Sequence, residues 1–270
     1  MSGCSPRRSA RSSLIASRAP VAHVHSTTTH DGIVVVRLER PERRNALIPE
    51  MAQALVDHLR AASANKRPVV LTGSGDAFCA GADLKWLATL HDPAQGVAEL
   101  VAVHHLAITT MVEMRVPVIS AVNGAVAGGG LGLALAADYR IAARRATFTA
   151  AYFRLGLTPD GGSSTFLERT IGPLRTLELL LTNRRLSADE ARAWGMLNEV
   201  VDDAHLLDRA ITFAVSLAPV PGYALLQTRR LLDATFLRNQ LQLESVAIRT
   251  AARGEFFKAA LDAFVAAHPH

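Results

Sequence analysis

The sequence predicts an α/β fold, a spiral of ββα-like units on parallel strands, followed by a helical C-terminal region. Two observations carry that prediction. Pro68–Thr72 and Val118–Val122 are short, largely apolar runs of the kind shown by strands buried on both faces. Each run leads into a glycine-bearing turn, Gly73–Gly81 in the first case and Asn123–Gly130 in the second, and then into a helical pattern. Strand, turn and helix thus recur as a weak internal repeat.

Taken in order, residues 1–30 are rich in Ser, Arg and Ala and hold no acid, so they are expected to lie outside the fold. Gly32–Arg40 alternates and is rich in valine, and it reads as the first strand until Pro41 stops it. Pro49 opens a helix with apolar residues at Met51, Leu55, Val56 and Leu59. The Pro68 strand and its turn follow, and then a helix ending near Met114. Val118–Val122 breaks at Asn123-Gly124. The three glycines Gly128–Gly130 open an apolar helix that is expected to end near Asp138. A short strand at Thr147–Thr149 precedes the loop Gly156–Gly162, and helical patterns lie on either side of Ile171-Gly172-Pro173. Ser187 and Glu190 form a capping box on a helix that Gly195 closes. Residues 31–200 read as the core and 201–270 as the helical region.

Composition excludes several functions. Hydrophobic residues make up 49% and charged residues 20% of the 270, as expected of a soluble chain with a large core. No run approaches the roughly 18 apolar residues of a membrane span, so no membrane partner is expected. The net charge of +5 belongs mostly to Arg7, Arg8, Arg11 and Arg18; without these four, 25 of the 29 basic residues face 24 acids. A nearly neutral body argues against a nucleic-acid partner. The basic N-terminal stretch is either a plain tail, which makes the protein cytoplasmic, or a transit peptide, which sends it to the mitochondrial matrix. Cys4 and Cys79 do not make a disulfide framework. His104 and His105 are adjacent and diverge on a helix, so no metal site is expected.

No P-loop or dinucleotide fingerprint is present, and Gly161–Thr165 lacks the second glycine of a nucleophile elbow. What remains is two strand-to-helix turns whose glycines let a ligand approach main-chain N–H groups. If the turns converge, one N–H from each can bind a single oxygen as an oxyanion hole.

Four motifs in order carry a resemblance over the whole body of the chain. They are Arg40-Pro41 with Asn45-Ala46-Leu47; Phe78 to Leu84 (FCAGADL); Pro117 to Gly130 (PVISAVNGAVAGGG); and Ser187 to Asn198 with Glu190 and Gly195. With these the chain resembles the enoyl-CoA hydratase/isomerase (crotonase) superfamily. The resemblance implies a crotonase-like spiral, a C-terminal trimerisation region, and a homotrimer or dimer of trimers. It implies an acyl-CoA thioester substrate whose enolate is held by the N–H groups of Ala82 and Gly129. Coenzyme A enters as part of the substrate, and no other cofactor is expected. Ala80 and its neighbouring backbone correspond to the adenine site, and Arg43, Arg44 and Lys85 are candidates for the CoA phosphates. Ala46, Asp83, Leu84, Gly128 and Pro159 complete the expected lining. Cys79 is expected to be a packing residue.

The departures from the family pattern are specific. Hydratases of the family carry glutamates at the positions of Gly132 and Tyr152, so two-carboxylate hydration is disfavoured. Asp160 matches the position at which isomerase members carry a single acid, and related dehalogenases and ring-forming synthases also use an acid there. The expectation is an enoyl-CoA isomerase with Asp160 as sole acid/base, in an apolar setting that raises its pKa. An atypical hydratase or a non-catalytic acyl-CoA scaffold is the alternative. Loss of a side chain at Gly132 is expected to open room for a branched or cyclic acyl group, which Tyr152 either partly refills or hydrogen-bonds. The family's basic C-terminal pair is missing after Ala263-Phe264, and Lys258 lies too early to replace it.

Overall fold

The computed structural model describes residues 23–232 and 234–268. The chain alternates between two sheets. In the first, β1 (Val24–Thr28) pairs antiparallel with β2 (Val34–Leu38), and β3 (Val69–Gly73), β5 (Val118–Val122), β7 (Tyr139–Ala143) and β10 (Glu199–Val201) follow in parallel. The second sheet orders β4 (Ala77–Cys79), β6 (Ala125–Ala127) and β8 (Thr147–Thr149) in parallel, with β9 (Leu186–Ser187) antiparallel to β8.

Each pair β3–β4, β5–β6 and β7–β8 passes from the first sheet to the second and then into helix, so the expected ββα spiral is present. The helices that follow are α2 (Leu84–Ala88) with α3 (Pro93–Glu113), α4 (Gly129–Leu135), and α5 (Ser163–Thr182). Helix α1 (Pro49–Ala64) follows β2. The C-terminal part holds α6 (Ala188–Ala193), α7 (Leu206–Leu217), α8 (Gly222–Leu231), α9 (Ala234–Ala252) and α10 (Glu255–Ala267). None of the described helices is by itself long and apolar enough to cross a membrane.

The apolar runs are explained by cover on both faces. Val34, Val36, Leu38, Val69, Leu71 and Val118 point into the main core, with Met51 and Leu55 of α1 and Ile108 of α3. The alternate residues Ile33, Val35, Val70, Ile119 and Ile141 pack with Leu206, Ala210 and Ala214 of α7. A period of two divides each strand between two cores.

Two expectations are corrected. Val24–Thr28, placed outside the fold with residues 1–30, is an edge strand in register with Val34–Leu38; residues 1–22 of that stretch lie outside the described residues. The helix after the glycines stops at Leu135, not near Asp138, because Asp138 instead accepts the Val118 N–H at 2.8 Å and leads into β7. Gly172 breaks α5 with φ 78°, as its Gly-Pro pair leads one to expect.

Where the chain leaves β2, Asn45 joins three segments. Its Oδ1 accepts the Arg40 N–H at 2.9 Å and the Ser74 hydroxyl at 3.1 Å, and its Nδ2 donates to the carbonyls of Ser74 and Ala77. Asn45 is fully buried, so no water replaces these bonds. Asn45→Ala is expected to lower unfolding free energy by roughly 2–4 kcal/mol, read from urea denaturation, because it strands several buried polar groups at once.

Candidate active site

Two backbone segments meet at the head of the second sheet. The first is set by Leu47, which bridges Ala82 in parallel: the Leu47 N–H donates to Gly81 O at 2.7 Å and the Asp83 N–H to Leu47 O at 2.9 Å. In that pattern the N–H of Ala82 itself faces away from Leu47. The second is Gly128-Gly129. Gly128 has φ 50° and ψ −129°, a conformation for glycine alone, and Gly129 opens α4, so its N–H has no intrahelical acceptor. A Cβ placed on Gly81 would lie 3.3 Å from Gly129 N. The two turns therefore meet at Gly81 and Gly129, with Ala82 next to Gly81 in the chain.

Asp83 also has partners within the protein. Its Oδ2 takes a 2.8 Å bond from Arg40 Nη2, and its Oδ1 caps α2 by accepting the Trp86 N–H at 3.0 Å. It lies on the cavity wall, with its carboxylate already engaged.

The two segments form one wall of a cavity of about 960 Å³. Leu87, Val97, Val101, Leu157 and Ile248 make an apolar side. Arg43, Arg44, Ala46, Ala80, Leu84, Lys85 and Gly128 also line it, with exposed Arg43 and Arg44 at the rim. Gly132 and Pro159 do not reach it. Sequence reasoning missed Arg154, Arg185, Phe264 and His268, which do.

Asp160 lies inside, 7% exposed. One carboxylate oxygen, Oδ1, is 3.7 Å from the point a Gly129 Cβ would occupy, and the other is 3.5 Å from His104 Nδ1. His104 comes from α3, is 2% exposed, and its Nε2 has no hydrogen-bond partner among the described residues. The expected rise in the Asp160 pKa is contradicted. Burial pushes it up, but the hydrogen bond and charge of His104, helped by His105 and Tyr152, outweigh burial and hold the carboxyl below its ordinary value.

Further side chains hold the turn that carries Asp160. The Tyr152 hydroxyl donates to Asp160 O at 3.2 Å and lies 2.9 Å from Ser163 Oγ. The buried phenol is pushed well above its usual pKa, burial being the main cause. Tyr152 thus orients the Asp160 turn from the cavity edge. His105 accepts the Gly161 N–H at 3.0 Å, and burial above all lowers its pKa to about 4. Glu244, on α9, accepts the Gly162 N–H at 2.8 Å. The adjacent histidines do diverge, yet both meet the same turn; the pair in the sequence was the available signal. Nothing local marks Glu244. Cys79 is buried and its thiol is pushed up to about 12 by burial, as befits a packing residue. Among the described residues no cluster of His, Cys, Asp and Glu is arranged to hold a metal ion.

A model of the enoyl-CoA hydratase/isomerase family matches residues 28–265. The chain belongs to this family. It is 36% identical to the 1,2-epoxyphenylacetyl-CoA isomerase of Escherichia coli K12, over 87% of this chain and 92% of that one. It is 37% identical to 4-chlorobenzoyl coenzyme A dehalogenase-2 of an Arthrobacter species, over 74% of each, and 34% identical to a probable enoyl-CoA hydratase of Rhodobacter capsulatus, over 88% and 93%. Among solved structures, an enoyl-CoA hydratase of Bacillus halodurans superposes with a TM-score of 0.82 at 26% identity, covering 90% of this chain and all of the other. Enzymes of the enoyl-CoA hydratase/isomerase family act on acyl-CoA, and these relatives span isomerase, dehalogenase and hydratase names.

The family position at Gly132 is corrected by its surroundings. A Cβ there would lie 2.2 Å from the Gly161 carbonyl oxygen, so the missing side chain leaves no room for an acyl group. The main chain beside Asp160 fills the space. Gly132→Ala is expected to displace that turn, costing about 1–3 kcal/mol of stability as overpacking does. Thermal and urea unfolding measure the loss.

Proposed function

We propose that the chain is an enoyl-CoA isomerase in which Asp160 is the single acid/base. The observation that carries this reading is the Asp160 carboxylate, in the cavity beside Gly129, while the two other carboxylate positions of the family hold a packed glycine and an engaged tyrosine. The thioester oxygen of a 3-enoyl-CoA accepts the N–H groups of Ala82 and Gly129. The Asp160 carboxylate takes a proton from C2, and the electron pair passes into the dienolate, whose oxygen those donors stabilise. The same carboxyl group returns the proton at C4, and the thioester carbonyl re-forms with the double bond now conjugated to it. Removing one oxyanion donor typically costs about 100- to 1,000-fold, and a positioned acid/base contributes about 100- to 10,000-fold. Arg43, Arg44 and Lys85 at the rim are assigned to the CoA phosphates and Ala80 to the adenine. A trimer or dimer of trimers goes with this reading, and Leu174, Leu177 and Leu181 offer α5 an exposed apolar face for it.

One observation favours a second reading. His104 stands against Asp160 with its Nε2 unpartnered, so an ionised Asp160 is set to attack carbon as a nucleophile. The leaving group departs, and His104 takes a proton from the water that hydrolyses the resulting ester. The dehalogenase names among the relatives support it. Halide released from 4-chlorobenzoyl-CoA, with no reaction of enoyl substrates, replaces the first reading by this one.

Absorbance of the conjugated thioester is expected to grow when the protein meets a 3-enoyl-CoA, while a 2-enoyl-CoA stays unhydrated. Asp160→Asn is expected to lower kcat by 100-fold or more while acyl-CoA binding, measured by calorimetry, is retained. Rapid decay of the 2-enoyl signal makes the protein a hydratase, and full activity of Asp160→Asn removes the acid/base assignment.

A further inference from the structure

The turn that carries Asp160 does not hold itself. Gly161 and Gly162 both have left-handed backbones, with φ 64° and 75°, and Gly162 is the N-cap of α5 with no side chain to accept its first N–H groups. Acceptors arrive from distant elements instead. His105 on α3 takes the Gly161 N–H. Glu244 on α9 takes the Gly162 N–H with Oε2 and the Ser164 N–H with Oε1 at 3.3 Å, and Oε1 also receives the Ser164 hydroxyl. Gln240 Nε2 donates to that same hydroxyl oxygen at 3.0 Å. Asp160 precedes these anchored groups directly.

Glu244 performs this capping from an unfavourable setting. It is 4% exposed, and the groups that face it give it little charge compensation. Asp160 approaches from the turn as a second carboxylate. His105, 3.9 Å away, is kept neutral by burial, and His104 beyond it is paired with Asp160. Tyr152 is a neutral phenol, and α5 presents the Ser164 hydroxyl. Helices α8 and α10 also pack on α9, and neither gives Glu244 an ion pair among the described residues. Burial first, with the Asp160 charge adding, raises the Glu244 pKa to about 7.

We infer that Glu244 is a positioning residue for Asp160: by gripping Gly162 and Ser164, with His105 on Gly161, it fixes the Asp160 carboxylate in the cavity beside Gly129. This rests on the reading that Asp160 does the chemistry. Only the carboxylate form offers both oxygens as acceptors. A protonated Glu244 turns one oxygen into a donor and slackens the cap, and Glu244→Gln imitates that state at every pH. Displacements of about 1 Å at a reacting group cost on the order of 100-fold in rate, so the turn need not unfold for the effect to be large.

The experiment is kcat and KM for a 3-enoyl-CoA between pH 5 and 9, for the wild type, Glu244→Gln and Asp160→Asn. The wild-type kcat is expected to fall to a lower plateau as pH drops through about 7, with KM nearly constant. Glu244→Gln is expected to lie about 10- to 100-fold below the wild-type maximum, with that step absent. Its fold is checked by unfolding. A folded-state pKa above the unfolded one makes ionisation costly as pH rises from about 4.5 to 7, so Tm of the variant relative to wild type should be higher at pH 8 than at pH 5. A Glu244→Gln enzyme with wild-type kcat and an intact step overturns the inference while an inactive Asp160→Asn leaves the function standing. A wild-type profile flat through pH 7 overturns it without any variant. Full activity of Asp160→Asn defeats the reading of the site itself.

Discussion

One buried ion pair holds together the first of the two backbone segments that line the cavity. Arg40 leaves β2 and reaches Asp83 with Nη2 at 2.8 Å and the Ala46 carbonyl with Nη1 at 2.6 Å, while its own N–H is held by Asn45. Both charged groups are shielded from water, and such a pair brings little net stability because desolvation offsets its attraction. Its value here is geometric. It sets Ala46-Leu47 against Gly81–Asp83, and the Leu47 bridge then turns the Ala82 N–H away from Leu47. Without that bridge the segment after β4 would be an ordinary loop with no fixed direction for its donors.

The second segment needs no such clamp, because the spiral supplies it. β4 and β6 are neighbours in the second sheet, so the chain leaving each of them arrives at the same edge. Gly81 and Gly128 let the two main chains approach to van der Waals distance, and α4 begins there. The closeness of the two glycine turns thus follows from topology once two consecutive units share one sheet.

This is why so much of the site was legible. The apolar runs of β3 and β5 and the glycines after them are local signals, and they are enough to predict that the turns at Gly81 and Gly129 come together. The three-residue strands β4, β6 and β10 are too short for any period to show, and β1 was lost in a polar stretch whose composition resembles a tail. Asp160 was legible only by resemblance, since Pro-Asp-Gly alone reads as a turn. The His104 side chain was weighed as a metal ligand and dismissed, although a buried imidazole beside a carboxylate needs no metal to act. That partner, unseen in the sequence, reverses the sign of the Asp160 shift. Glu244 is 82 residues from the Gly162 N–H it binds, and no pattern in a single chain reports a contact of that range.

Gly132 shows how the site chemistry is constrained as a whole. A glutamate there would bring a second carboxylate toward the substrate, as hydratases of the family have it. In this chain its Cβ would strike the Gly161 carbonyl, which belongs to the turn presenting Asp160. The glutamate and the present position of Asp160 therefore compete for the same space. A side chain at position 132 and the present Asp160 turn are alternative packings of one space, and this sequence has taken the second. His104 completes that choice, because a carboxylate brought into an apolar cavity stays ionised there only with a partner beside it.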